Sequence, residues 1–331
     1  MTRGGAVLAF AALALCLTFA AAVLSGPFPI GFGDLLALAT GGAPHDPRAG
    51  AILLRIRLPR VGAAVLVGAA LAAAGAAYQG LFRNPLVSPD ILGVSSGAGL
   101  GAVLGIFLSL PVAGIQLSSF AGGLVTVALV YAVAAAVRGR EPILVLVLAG
   151  VVVGALAGSL ISLLKVLADP YDQLPAITFW LLGSLAGITG SDLLASLPVV
   201  LLGLLPLVLL RHRLDVLALG DEEARSLGLD AGRLRLLVVV AATLMTAGVV
   251  AVAGVVGWIG LVVPHVARML IGPGFGRLLP AAMLIGGAYL LAVDTLARTL
   301  APIETPLGIL TALLGAPFFL WLLVRGRRVW T

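Results

Sequence analysis

The stretch Pro142-Ile-Leu-Val-Leu-Val-Leu-Ala-Gly-Val-Val-Val-Gly-Ala-Leu-Ala-Gly-Ser-Leu-Ile-Ser-Leu-Leu-Lys-Val166 carries one charge, Lys165, and carries it at the end. About 20 helical residues cross the hydrocarbon of a bilayer. Inside lipid every backbone amide must be paired within its own segment or around a closed barrel. The stretch shows no period-two alternation, which a barrel strand needs, so it is a membrane-spanning helix. The rest of the chain repeats the pattern. Hydrophobic residues make up 61% of 331 positions and charged residues 10%, with a mean hydropathy of +1.19. A soluble domain carries about 25% charged residues, so this composition cannot cover itself with a water-compatible surface. The fold class is an all-α polytopic membrane protein.

Working outward, blocks of spanning length fall at 6–25, 61–82, 91–111, 119–137, 142–166, 191–210, 234–256, 278–298 and 306–324. A shorter apolar stretch at 257–271 carries Pro264, His265 and Arg268 and reads as a short, broken span, making ten. Residues 174–188 are too short to cross and read as an interfacial or re-entrant helix. Residues 6–24 after Met1-Thr2-Arg3 have features of a signal peptide, but the run's length and the lack of a persuasive cleavage site favour a retained first span. Loops are short, so residues 1–331 form one transmembrane domain with its main cytoplasmic loop at about 212–233. Glycines recur at small-xxx-small spacing in Gly93, Gly97, Gly101, Gly105 and in Gly150, Gly154, Gly158. Such ridges let helices approach closely in lipid.

Ten spans put both termini on one side, and the positive-inside rule makes that side cytoplasmic. The inner segments then hold Arg83, Arg138, Arg140, Arg211, Arg213, Arg225, Arg233, Arg235, Arg277, Arg325, Arg327 and Arg328. Acids dominate outside, with Asp169, Asp172, Asp192 and Glu304. One outer segment breaks the rule: Arg55-Ile-Arg-Leu-Pro-Arg60. The net charge of +6 lies mainly at span ends and forms no basic amphipathic stripe, so it does not point to nucleic acid.

Enzyme signatures are missing. The sequence contains no GxxxxGK[ST] phosphate loop and no HExxH. His45, His212 and His265 are far apart, and the lone Cys16 excludes an intrachain disulfide. The clearest intramembrane acid is Asp294, with Arg298 one turn on. At this i,i+4 spacing the two share a helix face. They read either as a neutralising pair or as an acid that orients Arg298 outward, with Glu304 in the same outer turn. On the opposite side, Gly220-Asp-Glu-Glu-Ala-Arg-Ser-Leu-Gly228 reads as a short helix between glycines. Acids in its first turn suit the helix dipole, Asp221 and Arg225 make an i,i+4 pair, and Gly228 is a natural stop. It is either a surface connector or a handle for a soluble partner.

Four ordered motifs then carry a resemblance. Arg57-Leu-Pro-Arg60, Gln79-Gly-Leu-Phe-Arg-Asn-Pro-Leu-Val-Ser-Pro-Asp-Ile-Leu-Gly-Val-Ser-Ser-Gly-Ala98, Gly260-Leu-Val-Val-Pro-His-Val-Ala-Arg268 and Pro306-Leu-Gly-Ile-Leu-Thr-Ala-Leu-Leu-Gly-Ala-Pro317 make the chain similar to the FecCD family of ABC permeases over essentially its whole length. These are the membrane subunits of type II importers for ferric siderophores, haem and cobalamin. The resemblance implies a second copy of the permease, two cytosolic ATP-binding subunits and an extracytoplasmic binding protein, in a bacterial or archaeal inner membrane. ATP and Mg would sit in the partner ATPase, with no cofactor in this chain. By motif position, Arg57, Arg60 and Arg298 would dock acidic residues of the binding protein, which answers the positive-inside exception. Gly220, Asp221, Glu222, Glu223, Ala224, Arg225, Ser226, Leu227 and Gly228 would couple to the ATPase. Asn84 and Leu86, with Glu141 and Pro142, would form the inner gate. The expected cargo is an iron chelate, a ferric siderophore or haem. Cobalamin or an oxyanion on the same fold is the alternative, and an ion-coupled carrier the competing class.

Overall fold

The computed structural model describes residues 3–26, 28, 30–137, 142–301 and 303–325. All regular structure among them is helical. The order is α1 (Arg3–Leu24), α2 (Phe32–Ala39), α3 (Arg48–Ile52) with a π-turn over Leu53–Arg57, α4 (Leu58–Leu81), a 3-10 turn over Pro89–Leu92, α5 (Val94–Phe107), α6 (Val112–Ala136), α7 (Pro142–Leu167) and α8 (Gln173–Leu182). After these come α9 (Gly190–Leu209), α10 (Arg211–Leu217), α11 (Asp221–Ser226), α12 (Ala231–Ala253), α13 (Ile259–Ile271), α14 (Phe275–Ala297) and α15 (Leu307–Arg325).

Among the described residues seven helical runs are long and apolar enough to cross a membrane: α1, α3–α4, α6, α7, α9, α12 and α14. The shorter α5, α13 and α15 stand where the other three spans were expected. The block at 91–111 is not one helix. Gly93 takes φ 76, ψ 15, a left-handed geometry that glycine tolerates without steric cost, and it separates the 3-10 turn from α5.

Helix α4 is the hub and packs against α14, α12, α13 and α9. Its Ala-rich face lets neighbours come close, and in lipid it is this packing that holds helices together. A Cβ on Gly68 would collide with the Gly286 carbonyl of α14. The glycine ridge of α5 packs on α6, where a Cβ on Gly101 would strike the Ser118 carbonyl. The α7 ridge is used only in part: Gly150 meets Ile91, whereas Gly158 has open space beside it. Helices α1, α6, α7 and α9 bury less than a third of their apolar windows, so their outer faces are left for lipid or another subunit.

Irregular backbone occurs where α8, the α12–α13 break and the start of α15 meet. There Ser184 N donates to Ala253 O at 2.9 Å and Leu307 N to Gly183 O at 3.0 Å. Non-helical backbone at membrane depth survives only when neighbours pair it in this way.

Candidate functional site

The two candidate regions occupy opposite ends of α4, whose 24 residues separate them by about 36 Å. At its first end, the segment expected as an outer loop is helical. The helix runs without a break from Arg48, and the π-turn over Leu53–Arg57 re-phases it. Such turns recur at functional positions in helices. Arg57 and Arg60, three apart, face inward, while Arg55 is exposed.

The inward arginines are held by partners within the chain. Arg57 donates from Nη1 to Val23 O at 2.6 Å and from Nη2 to Phe28 O at 2.7 Å. Arg298 donates from Nη2 to Ala22 O at 2.7 Å and from Nη1 to Ser25 O at 2.8 Å. The last carbonyls of a helix lack intrahelical partners, and these two cations cap α1 with the sign its dipole favours. Gly26 makes room, because a Cβ there would lie 2.7 Å from Arg57 Nη2. Arg60 bridges two acids, with Nε 3.0 Å from Asp294 Oδ1 and Nη1 2.7 Å from Glu304 Oε1. Arg298 Nε lies 3.5 Å from Asp294 Oδ2, the expected i,i+4 pair.

Exposure is 4% for Arg57, 7% for Arg60, 7% for Arg298 and 0% for Asp294. Three cations against two carboxylates leave a net +1 in the cluster. The positive-inside exception therefore has a second physical reason, since most of this charge is neutralised within the chain. Open charge at this end rests on Arg55, on Arg48 (ion-paired to Asp46 at 3.0 Å) and on Glu304, whose side chain is 41% exposed.

At the other end of α4 lies a turn built from Arg83, Asn84, Pro85 and Leu86. Arg83 adopts φ 49, left-handed and costly for a bulky residue. Asn84 Oδ1 accepts the Leu86 amide at 2.9 Å, a side-chain-closed turn. Asn84 and Leu86 are both exposed. Of the other expected gate residues, Glu141 lies outside the described residues and Pro142 opens α7.

The short helix expected between Gly220 and Gly228 is present as α11, and Gly228 is left-handed at φ 77. Leu229 N donates to Ala224 O at 2.9 Å and Gly228 N to Arg225 O at 2.9 Å, the paired closure of a glycine-stopped helix. Only Ala224 is buried; Glu222, Glu223, Arg225, Ser226 and Leu227 face outward. The expected Asp221–Arg225 pair does not form. Asp221 is taken by Arg235 of α12, whose Nη2 lies 2.8 Å from both carboxylate oxygens. A buried fork across two helices outcompetes a solvated partner one turn away.

Turn and coupling segment share one cavity of about 570 Å³, lined by Gln79, Arg83, Asn84 and Pro85 on one side and Asp215, Ala218 and Leu219 on the other, with Arg268 between. Arg83 also reaches Gly220, its Nη1 3.4 Å from where a Cβ there would stand. Neither this bridge nor the Arg60–Glu304 contact has a local spacing signal in sequence. Among the described residues no three His, Cys, Asp or Glu side chains are grouped to hold a metal ion.

The sequence profile of the FecCD transport family matches residues 13–325. The cobalamin import system permease protein BtuC of Halobacterium salinarum is 46% identical over 275 residues, 83% of this chain and 73% of that protein. The hemin transport system permease protein HmuU of Yersinia pestis is 43% identical over 287 residues, 83% of this chain and 84% of its own. A solved metal-chelate-type ABC transporter in an inward-facing conformation superposes with a TM-score of 0.89 at 37% identity, covering 97% of this chain and 99% of that one.

Proposed function

Because this chain belongs to the FecCD transport family, whose members are permease subunits of ABC importers, we propose that it carries an iron chelate, a ferric siderophore or haem, into the cytoplasm under ATP hydrolysis by a partner. The observation that carries this reading is the shared cavity, which sets the segment leading into the coupling helix, Asp215, Ala218 and Leu219, against the turn that would gate the inner mouth, with Arg83 beside Gly220 at the helix start. Arg211 packs against Gly276 and Arg277 against Gly4, so several arginines gather at the Asn84 end. That clustering supports a cytoplasmic Asn84 end and an outward arginine cluster.

In this orientation a loaded binding protein docks over Arg57, Arg60 and Arg298. Burial makes the three arginines a rigid base, and the partner's carboxylates meet Arg55 first and then compete with Glu304 for Arg60. Such rim charges set association rate and register. A second copy of the chain covers part of the exposed apolar surface and encloses the path. Two ATPases grip α11 through Glu222, Glu223, Arg225 and Leu227, and its displacement moves the Arg83–Leu86 turn. The wall is apolar, so selectivity rests largely with the binding protein.

An ion-coupled carrier is disfavoured by the pairing of Asp294 with two arginines, which leaves it no freedom to cycle a proton or sodium ion. Cobalamin stays in competition with the iron chelates, because the relatives' cargoes divide at nearly equal identity. The test is uptake into proteoliposomes containing the permease with its ATPase and binding protein, offered ferric siderophore, haem and cobalamin in parallel. Accumulation of an iron chelate well above cobalamin is expected; cobalamin uptake alone overturns the cargo assignment.

A further inference from the structure

The exposed seam between α6 and α12 contains an apolar groove of about 310 Å³, lined by Leu124, Val127, Ala128, Tyr131, Val239 and Thr243 among others. Tyr131 also lines the next cavity along the seam, about 100 Å³, whose other walls include Ala134, Leu146, Gly232 and Arg235. The two form one track. An apolar channel runs about 12 Å along α12 from Thr243 to Arg235 and ends in a small chamber with one charged residue, Arg235.

Arg235 supplies the chamber's charge among walls of Tyr131, Ala134, Ala135 and Leu146. The arginine is 7% exposed, and its Nη2 is committed to Asp221. Its Nε is buried and has no hydrogen-bond partner among the described residues. A guanidinium N–H is a strong obligate donor, and leaving it unmet in a desolvated site is costly. Gly232, three residues earlier on the same helix, leaves the chamber open where any side chain would narrow it.

We propose that this track is a binding site for one anionic phospholipid, with an acyl chain in the α6–α12 groove and the phosphate on Arg235. Basic pockets between transmembrane helices at the cytoplasmic edge are suited to anionic headgroups, and charge complementarity selects the acidic lipid over a zwitterionic one. The phosphate accepts from Nε while Asp221 keeps Nη2, so the lipid steadies the fork that ties α11 to α12. Lipid composition would then set how firmly the coupling helix is held. Placement in the cytoplasmic leaflet rests on the orientation proposed above, whereas the binding itself does not.

The test uses the purified chain in detergent, without ATPase or cargo, so it separates this site from the transport reading. Melting is followed with added phosphatidylglycerol or phosphatidylcholine, for the native protein, Arg235→Gln and Ala128→Trp. Ala128 is on the exposed face of α6, so the tryptophan fills the groove without touching the Arg235–Asp221 fork. Native protein is expected to gain about 3 °C more from phosphatidylglycerol than from phosphatidylcholine, and both variants to lose the difference. Equal shifts from the two lipids in native protein overturn the proposal. So does a preference that survives Ala128→Trp, because it reports surface charge rather than a groove.

Discussion

Replacing Arg60 with alanine removes the cation shared by Asp294 and Glu304 and leaves Asp294 buried with weakened compensation. Removing one member of a buried ion pair costs about 3–5 kcal/mol, because the remaining charge stays desolvated. Asp294 has zero exposure, so water cannot substitute. Arg298 keeps its Nε 3.5 Å from the Asp294 carboxylate, a longer and weaker approach than the 2.9 Å made by Arg60 in the native protein. With that partial compensation the expected destabilisation is at the lower end, about 3 kcal/mol, or a melting temperature lower by roughly 6 °C at about 2 °C per kcal/mol. Glu304→Gln disturbs the same guanidinium, yet the Glu304 side chain is 41% exposed. Exposed pairs contribute under about 1 kcal/mol, so its melting temperature should fall by no more than about 2 °C. Asp294→Asn added to Arg60→Ala removes the uncompensated charge and should recover part of the stability. The assay is tryptophan-fluorescence melting in one detergent at one scan rate. Similar small shifts for Arg60→Ala and Glu304→Gln, with no recovery in the double variant, would refute the buried-cluster reasoning.

Other substitutions probe the packing and the coupling hairpin. Gly68→Val drives a side chain into the Gly286 carbonyl and should cost about 3 kcal/mol or more, seen as loss of monodisperse protein on size exclusion. Gly228→Ala meets no neighbouring atom but must hold φ 77, so it should cost only about 1 kcal/mol, read by melting. Arg83→Ala severs the reach from the Arg83–Leu86 turn, the proposed gate, to Gly220. ATP hydrolysed per cargo molecule should rise several-fold in reconstituted complex while Arg83→Lys stays near native; an unchanged ratio in Arg83→Ala removes this link. Glu304→Gln frees the Arg60 fork for an outside carboxylate, and the binding protein should associate at least about 3-fold more tightly by interferometry in low salt.

The spans were legible because lipid imposes one rule on every segment, and Pro142–Leu167 obeys it over nearly its whole length. Where backbone geometry intervenes, length alone misleads. Gly93 in a left-handed conformation cuts the expected 91–111 span, and the π-turn at Leu53–Arg57 extends α4 backwards into the supposed outer loop. Gly228 was readable as a helix stop since its role is local. The pairing of Asp221 was not, because a neighbour four residues away is visible in sequence whereas Arg235 becomes adjacent only when α11 folds back on α12. The burial of Arg57, Arg60 and Arg298 was hidden for the same reason, since carbonyls from the end of α1 and acids from positions 294 and 304 converge on them. Composition reports that charge sits at a membrane edge; only tertiary structure reports whether that charge is already paired.

The most direct measurement is the energy source of uptake in sealed proteoliposomes containing the permease, its ATPase and the loaded binding protein. An ATP-coupled importer accumulates ferric chelate only with enclosed ATP and external binding protein, is arrested by vanadate, and continues when ionophores collapse proton and sodium gradients. Uptake that proceeds without ATP and vanishes with the ionophores would contradict it.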